Sequence, residues 1–347
     1  ILWPCLDETM VSCNLRRSFG AKRHDDVSAV IDSAWQARVS ANSNIFNGTK
    51  FRLHSFDLVD RSESAKIENR AVCADESTAE VKLVLNLGLT DYKSYLGTNA
   101  NPDAAARLRA DGFAQHGDYC AFMSQKLGVG GVTITADGFL VCIVRSDQVA
   151  EAQGMVDVPG GHPEPCKVER LEDILQTSLP AAALSFSAFP RDIEEVDELI
   201  CGAVTSEIFS SVVDEVVDEV NVPEISLSSP LLLGVIFQKN TANTPSVAFS
   251  LRCSLTRAEV EARYAIGARE AFESTALRFI NSEVLLAAAH GVQRNSAHLA
   301  NVANQRRNLS ATAVCSVESE LIAPMRFTSA TRGCLSLWVQ HQLSGMS

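Results

Sequence analysis

The sequence predicts an α/β/α sandwich, a mixed β-sheet held between helices, with a small α+β unit at its N-terminal end. Three stretches carry that expectation. DEVVDEVNV (214–222) repeats with helical period, and FLVCIVR (139–145) is a near-continuous apolar run of strand length, which reads as a strand buried on both faces. PLLLGVIF and SVAFSLRCSL read as paired strands around the polar turn KNTANT.

Taken in order, residues 1–24 show no period and read as a loose lead-in. From Asp25, DDVSAVIDSAWQARVS spaces Val27, Val30, Ile31 and Trp35 at helical intervals, with Asp25 or Asp26 placed to cap the start. An Asn-Gly turn signal at 47–48 precedes an alternating strand through Phe51 and Leu53, and VKLVLNLGLT reads as its partner beyond a long polar stretch. These elements make up the N-terminal unit, 25–118. Thr90 or Asp91 suits the N-cap of a short helix that Asn101-Pro102 then breaks. The main domain is expected over 119–347. In it GMVDVPGGHPEP reads as a strand followed by a glycine turn, and 166–200, without alternation, reads as an insertion. Thr256 with Glu259 forms a capping box ahead of a helix, and ALRFI is a further strand. Residues 281–330 carry little pattern, and GCLSLWVQ fits a strand or a helix.

Composition excludes several classes. The chain has 347 residues, 46% apolar and 21% charged, enough for one large domain or two smaller ones. A net charge of −12 could not neutralise a run of phosphates, which argues against nucleic-acid partners, although metal ions could still bridge the chain to a small phosphate-bearing substrate. The ten cysteines are scattered with no CxxC pair, so neither a zinc site nor a disulfide framework is expected. The first ten residues carry two acids and no apolar core, unlike a signal peptide, and no apolar run approaches the ~20 residues of a membrane span. These features suggest a reducing, cytoplasmic compartment, with no membrane association and no protein partner evident. The missing initiator Met reads as a trimmed or incomplete N-terminus.

The chemistry concentrates in two places. On the 214–222 helix Glu215, Asp218 and Glu219 fall in one sector, and Val212, Val213, Val216, Val217 and Val220 fill the opposite one. Carboxylates three and four residues apart repel by a few tenths of a kcal/mol per pair. A hard divalent cation relieves that repulsion, and Mg²⁺ is the usual occupant where a phosphate adds ligands. A solvated acidic face on a surface helix would give the same pattern. The second place is Gly160-Gly161, a turn whose bare backbone can approach a ligand, followed at once by His162 and Glu164.

Together the two pieces resemble the Nudix hydrolase signature, G-x5-E-x7-R-E-U-x-E-E-x-G-U, with U a bulky aliphatic residue. Glu215, Val216, Asp218, Glu219 and Val222 match its second half, and Asn221 replaces a glycine, a mild exchange because Asn tolerates the left-handed conformation. The first half departs further. Asp214 holds the arginine position and the isolated glutamate has no in-register match, Glu207 lying one residue off. The signature separates glycine from arginine by 14 residues; here 214 − 161 = 53, an insertion of about 39, so a generic pattern search can pass over the chain.

One branch fits these departures. KFRLHS (50–55), LGLTDYKSYLGTN (87–99), LGVG (127–130), QVAEAQGMVDVPGGHPEP (148–165), EIFSSVVDEVVDEVNVP (207–223) and PLLLG (230–234) together look like the UDP-glucose and UDP-galactose pyrophosphatases of the Nudix superfamily. The resemblance implies a Nudix fold and Mg²⁺-dependent attack of water on the pyrophosphate of a UDP-hexose, releasing UMP and hexose 1-phosphate. It implies Glu215 and Glu219 as metal-binding positions, with Asp218 as a further ligand or a water-orienting group. It implies substrate contacts at Phe46, Tyr92, Arg145, Ala150 (through its backbone), Asp157, His162 and Glu164. The general base stays open among Glu215, Glu164 and Glu273. Two other readings compete: a Nudix-like protein that binds a nucleotide sugar without cleaving it, motivated by Asp214 and the displaced Glu207, and a pyrophosphatase for another substrate such as ADP-ribose.

Overall fold

The computed structural model describes residues 4–41, 45–60, 81–147, 149, 152–171, 196–270, 272–289 and 325–345. Within them the chain forms two sheets, with the acidic helix packed between them.

The N-terminal sheet has β1 (Val11–Leu15) parallel to β3 (Val81–Asp91), which pairs antiparallel on its other side with β2 (Thr49–Asp60). The pairing of β2 with β3 follows the sequence expectation. The loose lead-in does not hold: Leu83, Leu85 and Leu87 present an apolar edge that Val11, Cys13 and Leu15 complete, a long-range partner that no local period reveals. Helix α1 (Val27–Ala41) packs on α2 (Tyr92–Gly97). Asp91 caps α2 by accepting the Ser94 N–H at 2.6 Å, and Asn101 with Pro102 starts α3 (Pro102–His116).

The second sheet is mixed, ordered β6-β5-β4-β8-β7 with β9 also on β5: β4 (Gly128–Ile134), β5 (Phe139–Arg145), β6 (Val156–Asp157), β7 (Leu231–Gln238), β8 (Thr244–Arg252) and β9 (Ser274–Asn281). Strand β4 runs parallel to β8 and the other pairs are antiparallel. Strands β4 and β5 pair only at Thr133–Ile134 with Leu140–Val141 and then diverge. The Pro159–Gly161 turn enters the gap: Val129 N–H donates to Gly161 O at 2.9 Å and Gly131 N–H to Pro159 O at 2.8 Å. This wedge explains Gly160, whose Cβ would stand 2.5 Å from Val129 O.

Helix α4 (Glu198–Val220) starts on its Asp197 cap and ends on Asn221 in the left-handed conformation (φ +63°), as the sequence suggested for that residue. It is apolar on more than one face because it is covered on more than one. Ile200, Val204, Ile208, Phe209 and Val212 share a core with Leu15, Leu53 and Leu85 of the N-terminal sheet and with Val247, Phe249 and Leu251 of β8, while Val216 and Val220 join a second core with Val141 and Ile143. Helix α5 (Arg257–Ile266) begins with the full Thr256/Glu259 capping box. GCLSLWVQ proves helical, inside α6 (Ser329–Ser344), which lays Cys334, Leu335, Trp338 and Val339 against Val132, Leu233 and Ala248 on the opposite face of the second sheet. The sandwich is therefore α4, mixed sheet, α6. The end of the 166–200 stretch is already α4; residues 172–195 lie outside the described residues, as do 290–324. Among the described residues the cysteines form no disulfide, and no helix is long and apolar enough to cross a membrane.

Candidate active site

The wedge turn stands between two environments of opposite charge. On one side lies a cavity of about 740 Å³, a size suited to a small-molecule ligand. Its wall includes Gly160, Gly161, Lys126, Arg145, His162 and, from α1, Arg38. Reached through the same turn, but not in the cavity wall, are Glu215 and Glu219 of α4.

Glu219 is 1% exposed. Its Oε2 accepts the Gly160 N–H at 3.0 Å, while its Oε1 is buried with no hydrogen-bond partner among the described residues. Burial and then the Glu215 charge push its carboxyl well above the usual range. Glu215 presses on the turn so closely that a Cβ on Gly161 would fall 1.9 Å from its Oε1. Burial, followed by the Glu270 and Glu273 charges, raises its carboxyl to about 8. The competing reading of a solvated acidic row does not hold for Glu219, which is buried, while Glu215 and Asp218 are partly exposed. Asp218 sits at the rim, where Arg269 Nη1 reaches its Oδ2 at 3.4 Å.

Two carboxylates one helical turn apart, one of them buried with an orphaned oxygen, fit a hard divalent cation as part of its ligand set. Among the described residues no group of three or more His, Cys, Asp or Glu side chains is gathered around one point, so the remaining ligands would be water, backbone carbonyls or a substrate phosphate.

The cavity side is ordered differently. Asp157 Oδ1 accepts hydroxyls from Thr328 at 2.7 Å and Thr331 at 2.5 Å, and Asp157 Oδ2 meets Arg145 Nη1 at 3.2 Å. Three donors make Asp157 the fastener that joins β5, β6 and the start of α6. His162 is held well below its usual range by burial and by Lys126, Lys50 and Arg145, so its ring is neutral. Glu164 Oε1 pairs with Lys50 Nζ at 2.6 Å; burial raises its carboxyl, but the Lys50 hydrogen bond and charge outweigh that and leave it below the usual range.

The structure brings Arg145, Asp157 and His162 to the cavity, while Glu164 lies outside its wall, paired with Lys50. It does not bring Phe46 there: the ring is 76% exposed and outside the cavity wall. Tyr92 stacks on Tyr95 at 6.2 Å, and the residue that reaches the cavity is Tyr95, with Lys126 Nζ 3.8 Å from its ring centroid. Ala150 lies outside the described residues. The sequence reading missed Lys50, Tyr95, Lys126 and Thr328. Tyr95, one helical turn after Tyr92, was detectable; Thr328, 171 residues from Asp157, carried no local signal.

No protein-family model matches the chain. Individual relatives do. It is 41% identical over 73% of its length to the uridine diphosphate glucose pyrophosphatase NUDT22 of Mus musculus, covering 70% of that protein. The Homo sapiens protein of the same name is 40% identical, over 73% of this chain and 72% of its own. Nudix hydrolase 9 of Arabidopsis thaliana is 34% identical, over 74% and 72%. The chain belongs to the Nudix hydrolases. Among solved structures, a MutT protein from Methanosarcina mazei Go1 shares 14% identity at a TM-score of 0.25 over 46% of this chain and 80% of that one, a likeness too slight to add to the relatives. Nudix hydrolases generally act with divalent metal ions, which agrees with the chemistry of the Glu215–Glu219 pair.

Proposed function

We propose that this Nudix hydrolase cleaves the pyrophosphate of a UDP-hexose, UDP-glucose foremost, with one water to give UMP and hexose 1-phosphate, and that its cation is Mg²⁺. The observation that carries the reading is the juxtaposition at Gly160–Gly161: a cationic cavity on one side of the turn, an underliganded carboxylate pair on the other. The turn has no side chains, so a pyrophosphate in the cavity can approach the carboxylates closely. Glu215 and Glu219 would hold the cation, which supplies charge neutralisation at the phosphate oxygens.

The chain's own groups account for the rest. Arg145 and Lys126 offset phosphate charge, the Asp157 bond fixes the Arg145 fork, and neutral His162 offers a hydrogen bond without adding charge. Tyr95 offers an aromatic face. Among the three candidate bases, Glu164 is engaged by Lys50 and weakened as a base. Glu273, pushed up by burial against the lowering charge of Arg145, is not among the groups that would hold the cation and suits the role of proton acceptor from water. Ala150 and Phe46 remain proposed substrate contacts, Phe46 by swinging its exposed ring onto a bound base.

Phosphorus NMR of the protein with UDP-glucose and Mg²⁺, repeated with excess chelator, tests the reading. UMP and glucose 1-phosphate should appear only with the metal. Binding of UDP-glucose without cleavage in Mg²⁺ would overturn it and favour the sensor, the reading that Asp214 at the arginine position motivates.

A further inference from the structure

Two charged positions of the Nudix signature are filled here by residues of the wrong sign. Counted forward from the glycine of the turn, the isolated glutamate falls at 161 + 6 = 167, which is Lys167. The arginine position is Asp214. Each alone looks like a lost function. In the fold they meet: Lys167 Nζ lies 2.9 Å from Asp214 Oδ2, although 47 residues separate them in the chain.

We propose that Lys167 and Asp214 are a charge-exchanged version of the signature's acid and base, a positioning pair that ties the segment after the glycine turn to α4 and holds Glu215 in place against Gly161. The inference rests on the reading of Glu215 as part of the active site. Three observations support it. Asp214 directly precedes Glu215, so a tether at one constrains the other. The 164–167 segment is fastened to α4 at a second point, since Glu164 N–H donates to Glu207 Oε1 at 2.9 Å. Glu207 and Asp214 are seven residues apart, two helical turns, so both fasteners lie on the same face of α4. Within the segment, Lys167 N–H donates to Glu164 O at 3.0 Å, which sets its side chain one turn beyond the first fastener. The opposing consideration is exposure: the Lys167 and Asp214 side chains are 46% and 51% exposed, and exposed ion pairs contribute little to stability. A positioning role needs little stability, only a bias of the helix register relative to the turn.

The test is a charge-exchange cycle in the full chain: Lys167→Glu, Asp214→Arg and the double variant, which restores the signature's own polarity. Each single variant should lower kcat for UDP-glucose by about five-fold with KM nearly unchanged, and the double variant should return to within about two-fold of the parent, the scale expected of one ion pair. A double variant no better than the worse single, or singles with unchanged kcat, overturns the proposal. So does a cycle that appears only in the unfolding temperature, since that marks a clasp without effect on the site. If the parent itself cleaves no UDP-glucose, the proposed function fails and Mg²⁺ affinity by calorimetry decides the pair separately. Affinity weakened by each single and restored in the double supports it; equal affinity in all four proteins overturns it.

Discussion

Asp157 and Glu219 are both carboxylates drawn out of water at one glycine turn, and the fold treats them in opposite ways. Asp157 receives two hydroxyls and a guanidinium. Glu219 receives one backbone N–H and keeps an oxygen with no donor among the described residues. A buried charge with its donors supplied is a fastener, whereas one left short is a debt that folding alone does not settle. The difference separates the carboxylate that organises the cavity from the one proposed to hold the cation.

Glu219→Gln breaks the comparison most severely. It should lower metal-dependent kcat/KM by about a thousand-fold while the metal-free protein unfolds at an equal or higher temperature near pH 8, because a neutral amide suits the buried position better. Circular dichroism melting alongside steady-state kinetics checks both halves, and retained turnover would remove Glu219 from the site. Next in size, Gly161→Ala should cost about a hundred-fold in turnover, since its Cβ would occupy the place of the Glu215 carboxylate, 1.9 Å away. Asp157→Ala acts on the satisfied partner instead. It strands three donors and should destabilise the fold by about 2–4 kcal/mol, visible in urea unfolding, with Thr328→Val giving a smaller loss.

A pH scan without metal sharpens the comparison further. Folded Glu215 holds its proton up to about 8, against 4.5 when unfolded. The folded state therefore binds more protons than the unfolded chain across that window, and stability should fall as pH rises from about 4.5 to about 8. The unfolding temperature should drop by about 5 °C or more over that range, and saturating Mg²⁺ should reduce the drop. The smallest effect belongs to Phe46→Ala. Its ring is exposed, so stability should change by no more than about 0.5 kcal/mol, and any role shows as a raised KM for UDP-glucose with kcat unchanged.

Much of the site was legible where chemistry is local. Asp91, Thr256 and Asn221 announced helix ends because a cap needs only its own few residues, whereas Asn101-Pro102, read only as a break, is the start of α3. The Gly160-Gly161 turn and the 214–222 helix declared themselves by pattern, and their combination led to the family. The lead-in at 1–24 was misread because β1 depends on β3, some 70 residues away, and not on any period of its own. Tyr95, one turn after Tyr92, was detectable as a second candidate, but in a helix of six residues spacing alone does not tell which ring faces inward.

By itself, then, the sequence determined the β2–β3 and β7–β8 strand pairs, several helix caps and the acidic face of α4, which rest on spacing within a few turns of chain, and, through the order of its motifs, the family. Only the tertiary structure decided that Glu219 is dry, that Gly161 must lack a Cβ, that Lys167 finds Asp214, and that Asp157 is held by Thr328. Each of those depends on segments far apart in sequence being packed together, where burial removes water from a charge and distance alone chooses its partner.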